Sequence, residues 1–100
     1  MTRTLEFRPS ARTDFDEAAD WYEIQRPGLR FEFVQAVDSV LANILRSPNA
    51  FPIVHGSKAH RALVHRFPYA IYFSADDQTI VVYAVFHTSR NPIIWHGRLA

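Results

Sequence analysis

The chain has 100 residues, with 11 Lys and Arg against 10 Asp and Glu and a formal charge of +1. That length allows one hydrophobic core and not two, and 48% hydrophobic with 14% aromatic residues takes the chain out of the disordered class. The lack of cysteine excludes disulfides, thiolate metal sites and a cysteine nucleophile; no apolar run reaches the ~20 residues of a membrane span.

Residues Thr4 to Arg8 alternate polar and apolar, with Leu5 and Phe7 on one face and Pro9 behind them, which predicts a short first strand. Ser10 or Thr13 offers a helix N-cap, and Thr13-Asp14-Phe15-Asp16 resembles a capping box with Asp in place of Glu. Asp14, Asp16 and Glu17 then fall in or near a first turn, where the helix dipole favours negative charge. Ala11, Phe15, Ala18, Ala19 and Tyr22 recur at helical spacing, so a first helix is predicted over about residues 11–25, with Trp21 and Tyr22 as packing residues. The breaker pair Pro27-Gly28 stops it.

A second helix is predicted from the stripe Leu29, Phe33, Val34, Val37, Val40, Leu41, Ile44 and Leu45, with Gln35, Asp38 and Asn43 on its other side. Pro48 and Asn49 close it, and so short a link between two helices predicts an antiparallel hairpin. Residues 49–59 carry Pro52, Gly56 and Ser57 and read as a loop. From His60 the period changes. Ala62–Val64, Tyr69–Phe73 and Ile80–Phe86 are rich in β-branched and aromatic residues and predict a three-stranded antiparallel meander, with Asp76-Asp77-Gln78 as the last turn. The near-continuous apolar runs in the last two strands predict covered faces. The expected architecture is α+β, in the order β-α-α-β-β-β, as a single domain over residues 1–100 that ends in a tail with Pro92 and Trp95.

The near-neutral total conceals a split. Residues 1–50 hold six Arg against eight acids, a net of −2, whereas residues 51–100 hold Lys58, Arg61, Arg66, Arg90 and Arg98 against Asp76 and Asp77, a net of +3, and all five histidines. The segregation predicts one face for an anionic or polar target. His55, His60 and His65 recur every five residues, a spacing that fits neither a strand face nor a helical pair, so no metal is expected. The three glycines, Gly28, Gly56 and Gly97, form no phosphate-cradling loop, so no nucleotide cofactor is expected either. A near-zero charge without an arginine-rich helix argues against nucleic-acid binding as the primary role. The opening segment Met1–Glu6 lacks the apolar stretch of a signal peptide, and a cytoplasmic protein is expected.

Arg66-Phe67-Pro68-Tyr69-Ala70-Ile71-Tyr72-Phe73, then Ile80-Val81-Val82-Tyr83-Ala84-Val85-Phe86-His87, then Arg90-Asn91-Pro92 with Trp95 and Arg98 form an ordered set. Upstream stand Ala11, Asp14, Glu17-Ala18, Trp21-Tyr22-Glu23, Gly28-Leu29, Phe33 and Pro48. Together, over about residues 6–98, they resemble the RelE/ParE superfamily of toxins from type II toxin–antitoxin pairs, particularly members described as plasmid stabilisation proteins. The resemblance implies a helical hairpin packed on a small, mainly antiparallel sheet. It also implies a growth inhibitor held silent by a cognate antitoxin, whose C-terminal segment folds against hairpin and sheet in a hetero-oligomeric complex.

Two mechanisms exist in the superfamily. RelE-type relatives cut mRNA on the ribosome, which needs a base for the 2′-hydroxyl, an acid for the leaving oxygen and cations for the phosphorane. Arg61, Arg66, His87 and Arg90 are the residues from which such a set could be drawn, with His87, Arg90 and Arg61 the catalytic candidates. However, Ala70 stands where the nuclease members carry an arginine, and Arg61 followed by Leu63 stands where they carry paired lysines. ParE-type relatives poison DNA gyrase without a known catalytic set, and this chain resembles them better for lack of the nuclease residues. Arg61, His87, Arg90, Trp95 and Arg98 are therefore expected as a target-binding patch at the basic end of the sheet, with the ribonuclease as the alternative. Arg61 and Arg66, five positions apart, are expected on opposite sides of a strand, with Arg66 capping the sheet edge.

Overall fold

A computed structural model describes residues 3–54 and 56–89; His55, the tail and the candidates Arg90, Trp95 and Arg98 lie outside the described residues. The observed elements are strand β1 (Thr4–Phe7), helix α1 (Pro9–Gln25), helix α2 (Leu29–Arg46), a 3₁₀ turn (Pro48–Ala50), and strands β2 (His60–Leu63), β3 (Tyr69–Ala75) and β4 (Thr79–His87). The order β-α-α-β-β-β and the helix-on-sheet arrangement are those expected.

The start of α1 differs from expectation. Neither Ser10 nor Thr13 caps it; the helix begins at Pro9, whose fixed φ suits the first helical position and whose missing N–H costs nothing there. The Thr13 hydroxyl instead donates back to the Pro9 carbonyl at 3.1 Å. Asp14, Asp16 and Glu17 consequently sit beyond the first turn, which carries no acid. At the other end, Gly28 takes a φ of 91°, a left-handed conformation that side chains resist. Its N–H and that of Arg30 both donate to the Glu23 carboxylate, at 3.1 and 3.2 Å, so one α1 acid caps the N-terminus of α2.

The sheet runs β1-β4-β3-β2, with β1 parallel to β4 and the other pairs antiparallel. The expected loop at 49–59 is partly ordered by pairing: Ile53 bridges His60, and Arg61 N–H donates to the Pro52 carbonyl at 2.9 Å. The β3–β4 turn forms where Asp76-Asp77-Gln78 predicts it. The Asp76 carboxylate accepts from Gln78 N–H at 2.8 Å and Thr79 N–H at 2.7 Å, and these bonds hold it below its usual pKa.

Between the helices and the sheet lies the main core, and Phe33 is its hub. Its fully buried ring meets Phe15, Tyr22, Phe67 and Tyr69 with centroids 5.1 to 5.8 Å away. Burial of such a ring stabilises the fold by roughly 1.5–3 kcal/mol. Val37, Val40, Leu41 and Ile44 continue the α2 stripe against Ile71, Phe73, Ile80 and Val82. The opposite face of the sheet carries a smaller cluster, Ala59, Ala70, Tyr72, Ala84 and Phe86. Both faces of β3 and β4 are thus apolar, as their continuous runs predict.

One irregularity decides where side chains point. The β3–β4 register pairs Tyr72 with Ala84 but Phe73 with Val82, leaving Tyr83 as an extra residue on β4. An extra residue reverses the alternation beyond it. Ile80 and Val82 face the helices, yet so does Val85, while Ala84 and Phe86 face away.

Candidate functional site

On α1, Asp14, Glu17, Ala18 and Trp21 share one side at the i, i+3, i+4, i+7 spacing of a helix. Ala18 is buried, and its small side chain brings the helix close to β4. Past the end of β1, the Val85 N–H has no strand partner on that side among the described residues and donates to the Asp14 carboxylate at 3.2 Å. The bulge at Tyr83 then aims His87 at this junction rather than at the opposite face, and its ring meets Tyr69 edge-on at 5.4 Å. The Ser89 N–H donates to His87 Nδ1 at 3.1 Å, which makes that nitrogen an acceptor.

Two adjoining cavities open here and share Trp21, Tyr69 and His87. One, of about 230 Å³, is completed by Asp14, Glu17, Ala18 and Val85, and the other, of about 340 Å³, by Tyr22 and Pro68. Trp21 and Tyr22 stand nearly perpendicular, 5.0 Å apart, and Tyr22 meets Tyr69 at 6.1 Å. Burial and the neighbouring Tyr69 raise the Tyr22 phenol above its usual pKa, so it stays neutral at physiological pH. Trp21 is not the packing residue expected of it: it remains 54% exposed, beside Ile24 at 80%.

Of the expected patch only Arg61 and His87 are among the described residues, and the sheet separates these two. Arg61 points to the opposite face, where its Nε donates to the Tyr72 hydroxyl at 3.3 Å, whereas His87 lies on the helix side. Arg61 also sits on the edge strand β2, with β3 between it and β4. Arg66 is not in a strand and does not cap the sheet edge. It lies in the β2–β3 connection with a φ of 75° and pairs with Glu32 of α2 at 2.8 Å. Arg26 reaches the same carboxylate at 3.1 Å, and the two arginines hold Glu32 below its usual pKa. Among the described residues the histidines do not gather: His60 is buried, stacked 5.0 Å from Phe73 with Nδ1 2.8 Å from the Phe51 carbonyl, while His65 is exposed.

A family model described as the ParE toxin of type II toxin–antitoxin systems, parDE, matches residues 5–92. The chain belongs to the ParE toxin family. The match includes Arg90 and stops short of Trp95 and Arg98. Among solved structures, the chain resembles one from the chromosomal ParDE system of P. aeruginosa, with a TM-score of 0.75 and 16% identity over 85% of this chain and 95% of that one. It also resembles a chain of the RelBE2 toxin–antitoxin complex of Mycobacterium tuberculosis, with a TM-score of 0.60 and 20% identity over 87% of this chain and 99% of that one. At those identities the likeness establishes the shared fold. No curated protein matches in sequence. The cleft between α1 and the end of β4 is thus a feature of a ParE-family chain, and sequence reading had not assembled it. Its signal was present: adjacent helical positions diverge by about 100°, so Trp21 and Tyr22 cannot both face the core.

Proposed function

We infer that this ParE-family chain is a cytoplasmic growth inhibitor that acts by binding an essential host protein, with DNA gyrase the first target to test, and that a cognate antitoxin neutralises it. The observation that supports binding over RNA cleavage is the separation of Arg61 and His87 by the sheet. Cleavage needs base, acid and cations around one phosphate. Among the described residues no such set converges, and fully buried Ala70 on the opposite face supplies no cation where nuclease relatives have one. Among the described residues, the charged groups that line the cleft beside His87 are the carboxylates of Asp14 and Glu17, which would repel a phosphate rather than stabilise it.

Three measurements test this reading. Induction of the chain alone is expected to arrest growth, and co-expression of the open reading frame adjacent to it to restore growth. Purified protein is expected to inhibit supercoiling by gyrase and to leave ribosome-bound mRNA intact. Specific cuts in mRNA at the ribosomal A site would overturn the binding reading in favour of a RelE-like endoribonuclease.

A further inference from the structure

The charge of α1 is lopsided. Pro9–Gln25 carries five acids, at positions 14, 16, 17, 20 and 23, against Arg12 alone, a net of −4. Several of these have work elsewhere: Asp16 pairs with Arg12 at 3.3 Å, Asp20 with Arg30, and Glu23 caps α2. Glu17 is exposed at the rim of the cleft and has no ion-pair or hydrogen-bond partner among the described residues. Beside it in the cleft stand the rings of Trp21, a half-exposed indole, and Tyr69. Aromatic faces attract cations, most strongly from tryptophan, and a carboxylate at the rim adds charge to that preference. An anion or phosphate is disfavoured by the same groups.

We propose that the cleft bounded by Trp21, Tyr22, Tyr69 and His87, with Glu17 and Asp14 at its rim, receives an arginine side chain from a partner polypeptide. Arginine suits it better than a compact ammonium, because a planar guanidinium stacks on a ring while its edge reaches a carboxylate. Exposed Ile24, one turn beyond Trp21, gives the residues flanking that arginine an apolar seat. The partner that carries the arginine is the antitoxin, and this assignment rests on the toxin–antitoxin reading; the cation preference of the cleft does not.

The test is an NMR titration of the purified, ¹⁵N-labelled chain with N-acetyl-arginine amide and with its uncharged isostere N-acetyl-citrulline amide. The indole N–H signal of Trp21, assigned by Trp21→Phe, and the ring signals of His87 report on the cleft. Saturable shifts with the arginine probe, at least tenfold weaker binding of the citrulline probe and a similar loss in Glu17→Gln are expected. Equal binding of both probes, no saturable shift, or an unchanged affinity in Glu17→Gln would each overturn the proposal. Because no partner is present, such a failure leaves the growth assay to judge the toxin reading separately.

Discussion

The two helices of the hairpin are nearly equal in length, 17 and 18 residues, and lie on the same sheet, yet they use their faces differently. α2 buries Phe33, Val37, Val40, Leu41 and Ile44, a broad stripe of large side chains. α1 buries three alanines, Ala11, Ala18 and Ala19, and one tyrosine. Small residues let α1 approach β4 closely, and close approach is what brings Asp14 to the Val85 N–H and Trp21 to His87. Large residues on α2 supply the stabilising area. The contrast assigns stability chiefly to α2, the proposed arginine site places recognition on α1, and single substitutions can break that division.

The largest effect is expected at the hub. Phe33→Ala removes a ring that four other aromatic rings surround, and it should destabilise the fold by about 3–5 kcal/mol in urea or thermal unfolding. A loss below 1 kcal/mol would mean that the core is not centred on α2. On α1 the equivalent injury is overfilling. Ala19 is 2% exposed, and Ala19→Leu should cost about 1–3 kcal/mol by pushing the helix off the sheet. The same shift would open the cleft, so arginine binding should fall with stability.

Trp21→Ala separates the two roles. With a half-exposed side chain, the variant should unfold within about 0.5 kcal/mol of the parent. Its affinity for the antitoxin should nevertheless drop by about 2 kcal/mol, the size expected of an aromatic anchor in an interface. Measuring both quantities on one variant decides the matter: a stability loss with unchanged affinity would return Trp21 to the packing role that its sequence neighbourhood suggests.

Trp21 marks the limit of what is legible in the sequence. The α2 stripe, the meander and the Asp76 turn were legible because each is written in a local period or a local hydrogen bond. The α1 start was not, because Pro9 at the first helical position outcompetes the Ser10 and Thr13 caps that composition offers. The cleft was hidden for a different reason. Tyr83-Ala84 lies inside an unbroken apolar run, so nothing in the sequence marks the bulge, and without the bulge His87 would be placed on the wrong face. Arg66 met Glu32 across 34 positions, a contact that no local pattern encodes.

The smallest effects are expected where Arg66 ties the β2–β3 connection to α2, and they sharpen the contrast by testing whether charge adds to α2's anchoring. The Glu32 carboxylate is held below its ordinary value of 4.5, first by its hydrogen bond to Arg66 and then by the charge of Arg26. A carboxylate depressed in the folded state stabilises above its unfolded pKa and loses that contribution as pH falls through the folded one. Wild type should therefore exceed Glu32→Gln slightly in stability at pH 7, with the gap closing below about pH 4. Arg66 adds a backbone component to the same joint. Its φ of 75° is left-handed, which costs a residue bearing a Cβ about 1–2 kcal/mol, part of it offset in glycine by greater freedom in the unfolded chain. Arg66→Gly and Arg66→Ala both lose the pair with Glu32, but only glycine relieves the backbone. The glycine variant should thus be the more stable of the two by about 0.5–1 kcal/mol in urea unfolding at pH 7. Equal stabilities would mean that the connection relaxes once the ion pair is gone, and that Glu32 on α2, rather than the hairpin itself, imposes the conformation at Arg66.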